Sequence, residues 1–178
     1  SAQGLVECFN TKIPGVMMNG VFLTDLKTKE QLYVCKMSKE KADEVVKAFM
    51  DAGRPPILYY YDGHINAEYT EIKNEYERKF IEKRKKLYHS FEKVDGHILR
   101  DDTVYINGID YKETMDKVAE KLSKIEGINF SYYLDVYSGD KYFIEVYSAT
   151  AGKKNTIEHL KSMYGFDKVI AFGDNGND

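Results

Sequence analysis

The residues best suited to chemistry lie at the end of the chain. Gly173-Asp174-Asn175-Gly176-Asn177-Asp178 brings two carboxylates and an amide into one short, glycine-loosened run. Their oxygens are hard donors that suit a hard cation such as Mg²⁺. The preceding run, Val169 to Phe172, is short and continuously apolar, like a strand buried on both faces of a parallel sheet. Ligands of open α/β sheets bind just past the carboxyl ends of strands. Gly, Asn and Asp are also the commonest turn residues, so a plain acidic turn fits the same letters.

These residues need elements to hold them. Upstream, Glu145-Val146 ends a strand. Gly152-Lys153 then opens an amphipathic helix with Ile157, Leu160 and Tyr164 on one side, closed by Gly165. The first stretch, Ala2 to about Met37, reads as a helix, the apolar strand Val16 to Met18, an Asn19-Gly20 turn and a hairpin, Val21 to Leu23 with Gln31 to Cys35. The middle, Ser38 to Ser148, is a distinct α+β block. Ser38 caps a helix with Ala42, Val45, Val46, Phe49 and Met50 at helical spacing, and Gly53 stops it. Pro55-Pro56 starts the extended run Ile57 to Tyr61, and Asp62-Gly63 turns it into a return strand, His64 to Tyr69. Thr70 to Phe91 is charged and helical, with Ile72, Tyr76, Phe80, Leu87 and Phe91 on one side. Thr103 to Ile106 is a short strand. Asp110-x-x-Glu113 resembles a capping box for a helix using Met115, Val118, Leu122 and Ile125. Phe130 to Tyr137 and Lys141 to Tyr147 form a second hairpin. The pattern predicts an open antiparallel sheet with helices on one face.

Gly173-Asp174-x-x-Asn177-Asp178 after a buried strand resembles the fourth motif of the haloacid dehalogenase-like phosphatases, in the form used by the Cof-type subgroup. The Gly152-Lys153 helix start is similar to their third motif, and Asn19-Gly20 resembles the Asn-Gly that precedes the cap. Together these marks set the order of parts over nearly the whole chain. The resemblance implies an α/β fold: a partial Rossmann-like core with an inserted α+β cap. Residues 1–37 and 149–178 would be core segments, and 38–148 the cap that closes over the site and selects the substrate.

The departures from the family pattern are as informative. No Asp-x-Asp pair, which supplies the nucleophile and acid/base in the first motif, occurs in the chain, and no strand ending in Ser or Thr supplies the second. Asp135 and Asp140 flank a hairpin turn and are no substitute. The expectation is a fragment that begins after two catalytic motifs and stops at the fourth.

The resemblance implies phosphoryl transfer to a carboxylate and then to water, on a small phosphorylated metabolite such as a sugar phosphate. Lys153 would supply fixed positive charge to phosphate and nucleophile, with Lys154 as rival. The spacing from Glu145 and the phase of Ile157 and Leu160 favour Lys153. Asp174 would bind Mg²⁺ directly, Asp178 would hold the metal's water or a neighbouring ligand, and Asn177 would hydrogen-bond the phosphate or orient a carboxylate. The same letters admit a cap-like binding or regulatory module without catalysis, or a phosphomutase of the same superfamily.

Composition sets the remaining bounds. At 178 residues, 43% hydrophobic and 31% charged, the chain has the material for a core. A formal net charge of −3 makes no case for nucleic acid or an anionic membrane. There is no bilayer-spanning apolar run and no signal peptide, so the expected location is cytoplasmic. Cys8 and Cys35 read as reduced, packed thiols. Tyr59, Tyr60, Tyr61, Tyr132, Tyr133 and Tyr137 would suit a stacking platform for a sugar or base, but tyrosine equally suits a half-buried strand. The basic run Lys83 to Lys86 reads as a solvated helix face. The four histidines show no metal-ligand spacing, and the oligomeric state is not legible.

Overall fold

The computed structural model describes residues 13–136 and 138–170. The chain divides into two compact units, Lys36–Ala149 and Ser1–Cys35 with Thr150–Asp178. Among the described residues no helix is long and apolar enough to cross a membrane.

The first unit is built from strands β1 (Gly15–Met17), β2 (Phe22–Thr24) and β3 (Gln31–Val34) and a helix late in the chain. The strands form an antiparallel sheet in sequence order. Val21, Phe22 and Leu23 are fully buried. Met18–Gly20, expected to begin with the end of a strand, is a tight 3₁₀ turn instead. The apolar run at Val169 differs too. Val169 and Ile170 are not in a strand, and Ile170 is 81% exposed. A strand forms only where a neighbour takes its backbone groups, and no described strand pairs with this run. Residues 171 and 172 lie outside the described residues.

The second unit holds nearly all the remaining elements. Helix α1 (Lys39–Asp51) begins where Ser38 Oγ accepts a hydrogen bond from the Lys41 N–H at 3.3 Å, and Gly53 ends it at φ +72°. Its buried stripe is Ala42, Val45, Ala48 and Phe49, while Met50 turns outward. Strands β4 (Ile57–Tyr61) and β5 (Ile65–Tyr69) pair as the expected hairpin. Then come α2 (Glu75–Arg84), β6 (Ser90–Lys93), β7 (Thr103–Tyr111), α3 (Lys112–Leu122), β8 (Ile128–Leu134) and β9 (Lys141–Ser148). The strand order is β6-β5-β4-β7-β9-β8.

The fold class is α/β, and the sheet is mixed rather than wholly antiparallel, because β5 and β6 run parallel. A parallel pair needs a crossover, and α2 provides it. Leu58, Ile106, Ile144 and Val146 face α1 and α3. Side chains alternate along strands, so Ile109 and Phe143, paired across β7 and β9, face the other way. Phe80 of α2 lies 5.3 Å from Phe143 on that second face. Helices therefore cover both faces, not one.

Two boundaries moved for identifiable reasons. The helix expected to reach Phe91 stops at Arg84, and Leu87 is exposed. Phe91 belongs to β6, where its ring meets those of Tyr59 and Tyr69 at 6.1 and 5.9 Å. Strand β7 runs on to Tyr111, and Asp110 does not cap α3, which has no side-chain cap bond. Its carboxylate instead lies 3.3 Å from the guanidinium of Arg54.

Arg54 is fully buried and joins the end of α1 to the start of α2. Its guanidinium donates to the carbonyls of Pro55 and Ile109 and pairs with the buried carboxylate of Glu77. Glu77 also accepts the Lys73 N–H at 2.8 Å, and Asn74 Nδ2 donates to Ile109 O at 2.9 Å. Burial raises the Glu77 carboxyl above its ordinary range, and the Arg54 charge offsets this only in part.

The unit Lys36–Ala149 thus has its own sheet, two covered faces and a buried polar network around Arg54. The other unit exposes Met163, Tyr164, Phe166, Val169 and Ile170. Limited proteolysis of the 178-residue chain should therefore cut first within residues 13–35 or 150–170 and leave 36–149 intact, as read by mass spectrometry. First cuts inside 36–149 would reverse this ranking of local stability.

Candidate active site

Helix α4 (Lys153–Tyr164) opens on Lys153. Its first turn contains no acidic residue and holds two lysines, against the preference for negative charge at a helix N-terminus. The helix dipole and the lysines add with the same sign, which favours an anion there. Lys153 is half-buried, and Thr156 and Leu160, three and seven residues on, are the buried positions of the helix. Lys153 therefore lies on the packed side. Lys154, rotated by about 100°, is exposed.

The helix start is fitted against the turn of residues 18–20. Met18, Asn19 and Gly20 all have positive φ, at 49°, 53° and 89°. Only glycine adopts such angles without cost, so two of the three are strained. A Cβ on Gly20 would lie 2.4 Å from the carbonyl carbon of Gly152 and 2.7 Å from Thr156 Oγ1. Gly152 has φ 139° and ψ 146°, a conformation open essentially to glycine alone. Nearby, Cys35 Sγ and Thr150 Oγ1 are hydrogen-bonded at 3.0 Å, and the Tyr33 and His159 rings lie 4.9 Å apart.

Lys153 and the Asn19-Gly20 turn are thus placed in one unit. Asp174, Asn177 and Asp178 lie outside the described residues. Among the described residues no group of three His, Cys, Asp or Glu side chains could hold a metal. The donor set Asp174, Asn177 and Asp178 is all oxygen and fits Mg²⁺ by chemistry.

Of the tyrosines singled out by sequence, Tyr137 lies outside the described residues. Tyr59 and Tyr105 are buried in the sheet, and burial pushes both phenols up. Tyr60 carries the Arg100 guanidinium 3.9 Å above its ring, and the Tyr132 hydroxyl donates to Asp116 at 2.6 Å. Tyr133 stacks on Phe143 at 5.9 Å, on the opposite face from Tyr132. Tyr59, Tyr60, Tyr132 and Tyr133 thus each have a packing or hydrogen-bonding partner. Thr156 was not singled out by sequence. A threonine among apolar helix positions gives no signal, although the glycines 20 and 152 marked where backbones meet.

Among curated proteins none matches. Several solved structures do. A haloacid dehalogenase-like hydrolase from Bacteroides thetaiotaomicron superposes with a TM-score of 0.60 at 15% identity, over 83% of this chain and 52% of that one. A second protein of that organism, described among the phosphatases of the superfamily, gives 0.64 at 14% identity, over 100% of this chain and 62% of its own. A protein of Thermotoga maritima gives 0.67 at 17% identity, over 97% and 62%. At such identities the shared property is the fold, and this chain spans 52–62% of the length of these structures. The model of the haloacid dehalogenase-like hydrolases matches residues 1–178, so the chain belongs to that family of hydrolases.

Proposed function

We propose that the protein is a Mg²⁺-dependent phosphatase acting in the cytoplasm on a small phosphorylated metabolite such as a sugar phosphate. Residues 36–149 act as the cap that selects the substrate. The observation that carries the reading is Lys153, the half-buried first residue of α4, a helix whose start at Gly152 and Thr156 meets the Asn19-Gly20 turn. Phosphoryl transfer asks mainly for positioning and for neutralisation of charge on the equatorial oxygens. Lys153 neutralises part of that charge from a fixed place. Asp174 and Asp178 are the residues that would hold the metal, which supplies the rest of the positive charge when bound. Asn177 hydrogen-bonds the phosphate or orients a carboxylate.

The nucleophile is an aspartate of an Asp-x-Asp pair, and none of the 178 residues forms such a pair. The 178-residue chain should therefore show no Mg²⁺-dependent turnover of p-nitrophenyl phosphate, while a longer chain carrying the pair upstream should hydrolyse it. Turnover by the 178 residues alone at a rate typical of the family would overturn the assignment. Equal silence of the longer chain toward a panel of sugar phosphates would do so as well.

A further inference from the structure

We infer that Thr156 is a positioning residue for Lys153, an inference that rests on the phosphatase reading for its catalytic consequence. Thr156 is 2% exposed and touches no solvent-facing chemistry of its own. It uses both of its donors on carbonyls of the two segments that meet there. Its N–H donates to Gly152 O at 3.0 Å, and its hydroxyl donates to Gly20 O at 2.8 Å. The two bonds tie the residue before Lys153 to the residue after Asn19.

The backbones meet without room for adjustment. A Cβ on Gly20 would fall 2.4 Å from the Gly152 carbonyl carbon and 2.5 Å from its oxygen. Asn19 itself is held at φ 53°, ψ 30°. A non-glycine residue stays in this region only when its surroundings over-determine it. Thr156 supplies a fixed contact to this turn from α4. Losing the hydroxyl leaves a buried carbonyl unpaired and frees the turn and the helix start to shift against each other. A lysine at the first helical position follows any such shift directly. Displacement by about 1 Å can cost roughly a hundredfold in rate.

The experiment is a double-mutant cycle in the full-length enzyme, with a structural readout in the 178-residue chain. Thr156→Val should lower kcat by about ten- to a hundredfold, and Thr156→Ser, which keeps the hydroxyl, should restore most of it. In a Lys153→Ala background the same Thr156→Val change should have no further effect on kcat, because its action runs through Lys153. Multiplicative losses in the two backgrounds would overturn the inference, since a general loss of stability acts whether or not Lys153 is present. In the 178-residue chain, amide resonances of Asn19, Gly20, Gly152 and Lys153 should move together in Thr156→Val and stay in place in Thr156→Ser. Unmoved amides in Thr156→Val would overturn the coupling even if the enzyme proved to have another activity. A silent full-length enzyme with moving amides would overturn the catalytic role and the phosphatase reading while leaving the geometric one.

Discussion

Lys153→Ala in the full-length enzyme is expected to lower kcat by about two to three orders of magnitude, as removal of a charge-stabilising donor does. The adjacent Lys154→Ala should change it by less than about threefold. The contrast follows from the placement of the two side chains. Lys153 lies on the face of α4 that carries Thr156 and Leu160, and Lys154 is exposed to solvent that screens its charge. Lys153→Arg is an informative companion. It keeps the charge but brings a wider, planar head, and should recover only part of the rate. Steady-state kinetics with a sugar phosphate decide the matter. A larger loss for Lys154→Ala than for Lys153→Ala would transfer the role to Lys154.

The second large effect concerns stability. Arg54→Met should destabilise the unit Lys36–Ala149 by about 3–5 kcal/mol, because Glu77 would remain buried without its partner. For a chain of this size that is a fall of roughly 6–20 °C in Tm. The loss should depend on pH with a definite sign. Burial already raises the Glu77 carboxyl, and losing the guanidinium raises it further. A raised carboxyl favours the protonated folded state, so the deficit should shrink as the pH falls toward ordinary carboxylate values and grow above them. Arg54→Met combined with Glu77→Leu should recover part of the loss, since the Glu77 charge is then gone and only Asp110, whose side chain is 14% exposed, loses the guanidinium. Calorimetry at acid and neutral pH checks both statements. A deficit that does not vary with pH would mean that Arg54 matters through packing alone.

What the sequence revealed follows the reach of its signals. Local chemistry was legible. The Ser38 cap, the Gly53 stop and the Asp62-Gly63 turn each act within a few residues, and the elements they bound formed where expected. Long-range partners were not. Phe91 keeps helical phase with Phe80, and only its meeting with Tyr59 and Tyr69 in the folded unit makes it a strand residue. Asp110 and Glu113 have capping-box spacing, but Arg54, distant in sequence, takes the Asp110 carboxylate. In the site, Lys153 was visible from the helix it opens. Thr156 was not, because its partner Gly20 lies 136 residues away.

That separation also has a consequence in time. The Gly20 carbonyl leaves the ribosome long before the hydroxyl that will bind it. At about 5–20 residues per second the interval is roughly 7–27 s. Val21, Phe22 and Leu23, fully buried in the finished unit, spend that interval without the helix that completes their unit. The residues made meanwhile are those of Lys36–Ala149, most of whose partners are already available, so the middle of the chain has time to fold first. A folded middle also replaces a long flexible loop with a fixed span, which lowers the entropy lost when the two ends finally join. A substitution that slows folding of the middle would delay that joining and prolong the exposure of the early strands.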